Sequence, residues 1–183
     1  MNDVFTFTIT IPDFSSLLLW LMLLCFLGCC VTLWPMLVMS RFFLRKDGTR
    51  FSILLFQLPF SISKFQSLVN NITGRTKDTV RMNLKLDYYF MPFVYLLLLF
   101  GGWYVLHLQQ FSFAESNYYK LLFLPLLAWV FDILENKTAL ASIKLVTKTK
   151  TRTLFIFALI KWILIIGYLG FVVAIALNIL NRR

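Results

Sequence analysis

Residues 124–140 read LPLLAWVFDILENKTAL. The stretch has the composition of a bilayer-spanning helix until Asp132, Glu135, Asn136 and Lys137 interrupt it. An ionisable side chain at bilayer depth costs roughly 2.5–3.5 kcal/mol on insertion scales, so such groups turn inward and take partners. Whether this segment crosses decides between three membrane helices and four.

Its surroundings favour four. Crossing the hydrocarbon layer takes about 20 apolar residues, and runs of that kind occupy 16–39, 88–108 and 154–180 besides 119–140. The 183 residues are 60% hydrophobic and 14% charged, where soluble domains hold about 45–50% apolar and about 25% charged residues. A soluble globular domain is excluded. Backbone groups in lipid have to be satisfied within the segment, which makes each run a helix. The sequence thus predicts an all-α membrane protein: a single domain over 1–183, with four transmembrane helices and a cytoplasmic amphipathic helix. The first run is longer than the apolar core of a signal peptide and no basic residue precedes it, so it is expected to be retained.

Charge sets the expected orientation. The link 41–87 holds nine Lys/Arg, and the link 141–153 adds Lys144, Lys148, Lys150 and Arg152. The outer arm, 1–15, carries only Asp3 and Asp13, and 109–118 only Glu115. By the positive-inside rule both basic links face the cytoplasm and both termini lie outside, Arg182 and Arg183 notwithstanding. The net charge of +10 is therefore a topology signal, with attraction to anionic lipid headgroups as a second effect. Nucleic acid is not expected as a partner, because basic residues do not interleave with stacking aromatics on an aqueous surface.

Between the runs, VFTFTITIP (4–12) alternates with period two and reads as a strand. It is expected either to pair with a neighbouring chain or to lie extended on the membrane surface. In the long cytoplasmic link, Ser63 and Gln66 stand at capping-box spacing. Ile62, Phe65, Leu68, Val69 and Ile72 share one helical face, and Gly74 ends the pattern. This helix is expected at the interface or against the bundle. Pro35, Pro92 and Pro125 fall within spans, where neighbours can satisfy freed carbonyls; Gly101-Gly102 and Gly167/Gly170 would allow close helix approach. The Asn71 and Asn136 sequons sit on the wrong side or at lipid depth and are discounted.

The chemistry-bearing residues converge on one level. Asp132, Glu135 and Asn136, at i, i+3 and i+4, are neighbours on one helix face, a stripe that Ala128, Trp129 and Ala139 extend. Asp132 lies about 12 Å from the end of the third apolar run, and Lys161 about 12 Å from the start of the fourth. Asp87 shares a face with Met91, Val94 and Tyr95. A polar cluster of Asp87, Tyr95, Asp132, Glu135, Asn136 and Lys161 is predicted in the cytoplasmic half of the bundle, as a possible ligand-binding centre. No catalytic residue, metal site or cofactor is predicted. Cys25, Cys29 and Cys30 have no converging fourth ligand and read as packing residues. His107, the only histidine, lies near the outer end of its span, and GRTKD (74–78) lacks phosphate-loop spacing.

The order LDYYFMPFVY (86–95), FDILEN (131–136), Lys161-Trp162, preceded by FSISKFQSLVNNI (60–72), resembles a family of small four-span bacterial membrane proteins. The similarity covers most of residues 50–165. That family has no assigned activity, so the resemblance implies a fold and a polar centre, not a reaction, with the bacterial inner membrane as location. The expected function is non-enzymatic: an integral membrane protein that binds membrane lipids or assembles with protein subunits or copies of itself. The alternative is a small membrane enzyme or proton-coupled carrier for an amphipathic molecule, with Asp132 and Glu135 as acid and base and Lys161 as charge partner.

Overall fold

The computed structural model describes residues 14–57, 61–108 and 117–181. The Thr-rich arm expected as a strand lies outside them. The described residues form α1 (Phe14–Ser40), α2 (Leu54–Gln57), α3 (Ile62–Asn70), α4 (Gly74–Leu108), a 3-10 segment (Asn117–Phe123), α5 (Leu124–Lys144) and α6 (Lys148–Asn181). Only two isolated β-bridges, Leu44 to Arg50 and Arg45 to Ile72, accompany them.

Three helices are long and apolar enough to cross a membrane: α1, α4 and α6 over Lys148–Leu177. Composition alone does not qualify α5, whose central residues are charged. Four helices nevertheless run alternately up and down. On α1 and α4, Gly28 meets Phe93, while the Asn83 amide donates to the Met36 carbonyl at 2.9 Å. At the far end Phe14 lies edge-on to Trp103 and His107, with ring centroids 5.5 and 5.3 Å apart. The pairing is antiparallel. Bonds between Tyr95 and Asp132, and between Asn136 and Asp87, set α5 antiparallel to α4. Tyr168 donates to the Leu98 carbonyl at 2.6 Å, placing α6 parallel to α4.

Helix α4 starts fourteen residues before the predicted span (88–108), at Gly74. Gly74 therefore opens a helix as well as closing the α3 pattern. Thr73 caps the start, its hydroxyl accepting from the Thr76 N–H. At 35 residues α4 is about 52 Å long, more than a hydrocarbon core of about 30 Å. Its charged first turns extend beyond the apolar part.

The link that precedes it folds into a cap over the α4 start, the α5 end and the α6 start. Phe43, Phe56, Phe65 and Ile72 join Val80, Ile143 and Leu154 in one buried cluster. A turn at Asp47-Gly48 brings Phe43 and Phe51 together, stacked with centroids 5.5 Å apart. Gly48 has φ 80°, a left-handed conformation that glycine takes at no steric cost. Hydrogen bonds from the Thr49 hydroxyl and N–H to Asp47 favour its carboxylate form and hold this group below its usual range. The amphipathic helix α3 accordingly rests against the bundle end. Its N-cap position is Ser61 and no side chain caps it, so the Ser63/Gln66 box does not form.

Two packing expectations are corrected. A Cβ at Gly167 or Gly170 would meet nothing within 4 Å, so neither marks a close approach. Gly102 does, because a Cβ there would run into the Tyr168 hydroxyl. Pro125 lies in the first turn of α5, where its missing N–H breaks no helical bond.

Candidate functional site

All six predicted polar residues meet between α4, α5 and α6, and all are buried. Asp132, Glu135 and Asn136 project from one face of α5, as their spacing requires. Helix α5 ends at Lys144 and α6 begins at Lys148. From those ends Asp132 and Lys161 are about 18 and 20 Å away along their helices. The depths match, and are greater than the sequence suggested because both helices extend past their apolar runs.

The Lys161 ammonium binds two carboxylates. It donates to Asp132 Oδ1 at 2.9 Å, and Glu135 Oε2 lies 2.5 Å from Nζ as an ion pair. The other oxygen of Asp132 accepts from the Tyr95 hydroxyl at 2.9 Å. Nearer the cap, the Asn136 amide donates to Asp87 Oδ2 at 2.6 Å. One lysine, one tyrosine and one asparagine thus supply the donors for three carboxyl groups.

The supply is short. Glu135 Oε1 and Asn136 Oδ1 are fully buried without a hydrogen-bond partner, and Glu135 Oε2 meets Lys161 outside hydrogen-bond geometry. Two side chains support the cluster from its edge. Trp129 stacks on Tyr95 with centroids 6.3 Å apart, and the Trp162 ring centroid lies 5.6 Å from Nζ of Lys161, within cation–π range. The Trp129 stack follows from its place on the Ala128/Ala139 stripe. The Asn83 and Tyr168 bonds to backbone had no sequence signal, since they depend on how helices distant in sequence are set against each other.

Other candidates stay apart. Cys25 is buried, Cys29 half-buried and Cys30 exposed; Cys25 and Cys29, at i and i+4, share a face of α1. Among the described residues no group of His, Cys, Asp and Glu converges to hold a metal ion. Chemically the cluster can clamp helices through buried charge, or hold a proton among its carboxyls. Comparison of the chain with protein-family models, with curated proteins and with solved structures found no match.

Proposed function

We propose that the chain is an integral membrane protein with four crossings, in which the Asp87–Lys161 cluster clamps α4, α5 and α6 in register. Its outward faces meet membrane lipid or other subunits. The observation that carries this is the division of α5 into two faces. Its acids and Asn136 are sealed inside, while Leu127, Val130 and Ile133 are exposed. At 21 residues the helix is about 31 Å long, the thickness of a hydrocarbon core. Lys137, exposed seven residues from the helix end, can reach the interface with its long side chain. The cost of carrying acids into the membrane is offset by partners that α4 and α6 already hold in place. The same topology, in a bacterial inner membrane with both termini outside the cytoplasm, is what the resemblance of the motif order to small four-span bacterial membrane proteins and the distribution of basic residues imply.

Topology is the direct test. In a variant without native cysteines, a single cysteine placed at Lys148 should resist an impermeant thiol reagent in intact cells, and one at Ser112 should react. If both react, or both resist, α5 does not cross.

A second reading, a proton-coupled carrier, is favoured by the unpartnered acceptors. A proton shared among the three carboxyl groups would supply the donor that Glu135 Oε1 or Asn136 Oδ1 lacks, and proton relays in membranes are built from such acids. For this reading the infrared difference spectrum between acid and neutral pH should contain a protonated-carboxyl band that Glu135→Gln removes. A spectrum unchanged by that substitution leaves the cluster a clamp.

A further inference from the structure

A second feature lies outside the cluster, where α1 leaves the apolar layer and α4 enters it. A cavity of about 920 Å³ opens between the α1 end, residues 42–45 and the first turns of α4. One wall is apolar: Met39, from the last turns of α1, with Phe42 and Met82, which are 56% and 49% exposed. The polar part of the lining includes Arg45 and Arg75 together with Thr73 and Thr79. The acid on the rim, Asp78, is bound by Arg81 at 2.9 Å, which leaves the two arginines as the dominant charge.

We propose that this cavity binds the headgroup and upper acyl chain of an anionic phospholipid. Position and chemistry together select that occupant. The cavity sits where α1 turns from apolar residues to Arg41 and beside the charged first turns of α4, which lead into its apolar run at 88–108, the level at which a headgroup meets its chains. Arginine pairs with phosphate through a planar fork of donors, and Met39, Phe42 and Met82 cover hydrocarbon. A soluble phosphate compound would use the arginines and leave the apolar wall in water. Cationic residues at the surface of an anionic leaflet are each worth about a fivefold gain in lipid affinity.

The test uses the full chain, purified in detergent and titrated with dioleoyl phosphatidylglycerol or dioleoyl phosphatidylcholine, with bound lipid counted by native mass spectrometry. Phosphatidylglycerol should bind at least about tenfold more tightly. Arg45→Gln with Arg75→Gln should weaken it about thirtyfold, leaving phosphatidylcholine unchanged. Arg75→Gln alone, at an exposed position, should weaken it about fivefold, so the test holds even where the double variant fails to fold. Lys144→Gln with Arg152→Gln removes the same charge from the other basic link and should have little effect. Equal binding of the two lipids overturns the site, as does equal loss in the control pair, or competition by inorganic phosphate at the same concentration. The inference rests on the membrane placement proposed above. If that placement fails, the protein will not insert into vesicles of either lipid; if only the site fails, it will insert and bind both alike.

Discussion

Lys161→Met is expected to lower the unfolding midpoint in detergent further than any substitution on the lipid-facing side of α6. The ammonium is the one cation in a buried cluster with three carboxyl groups, paired with Asp132 at 2.9 Å and with Glu135 at 2.5 Å. Methionine fills similar volume, so cavity formation is a minor cost. What remains is two carboxylates stranded in a low dielectric, and removing one partner of a buried pair costs about 3–5 kcal/mol. Ile163→Ala, at a 60% exposed position of the same helix, should change little by comparison, since exposed sites usually shift stability by less than about 0.5 kcal/mol. Adding Asp132→Asn and Glu135→Gln to Lys161→Met should recover part of the loss, because uncharged groups need no counter-ion. The measurement is thermal unfolding followed by intrinsic fluorescence, with correct assembly checked by elution volume. A Lys161→Met protein as stable as the parent would end the clamp proposal. Its companion outcome, full stability with loss of a cellular phenotype, would move weight to the proton-coupled reading.

The cluster was legible because membrane burial simplifies inference. Charge at depth has few solutions, and the i, i+3, i+4 placement of Asp132, Glu135 and Asn136 fixed a common face before any partner was known. Lys161 followed from depth alone. The apolar runs of α1, α4 and α6 were equally plain, with α1 ending one residue past its expected limit. The fourteen-residue start of α4 was not, because GRTKDTVRMNLKLD has no apolar run, and its helicity rests on one buried stripe. Thr76, Val80, Asn83, Leu84 and Asp87 form that stripe, at the 3–4 spacing of a helix face. The cap was hidden for a different reason. Its sequence, RFFLRKDGTRFSILLF, does contain a hairpin signal in Asp47-Gly48. Its phenylalanines show no helical period of their own, and Phe43, Phe51 and Phe56 are buried only because the end of the bundle covers them.

That cap supplies the second large effect. Phe56→Ala should destabilise the capped end of the bundle by about 3–5 kcal/mol, the usual cost of truncating a buried phenylalanine. The ring is fully buried and sits between Phe51 and Phe65, with centroids 5.8 and 5.4 Å away. Alanine leaves a cavity whose lining includes α3, so the link should open locally while the cluster between α4, α5 and α6 holds. Local opening is read by limited trypsin digestion, since Arg50 and Lys64 flank the site. When opening is fast relative to cleavage, the rate follows the open population, and this loss corresponds to an increase on the order of a hundredfold or more. Leu55→Ala, one residue away and 44% exposed, should leave the rate within a few-fold of the parent. The contrast separates two physical pictures of the same amphipathic sequence. If the link lay on the lipid surface, Phe56 would be solvated by acyl chains in both forms, its truncation would be nearly neutral, and the two variants would digest alike. A large and selective effect at Phe56 means that the helices of the bundle, rather than the bilayer, cover the apolar face of the link.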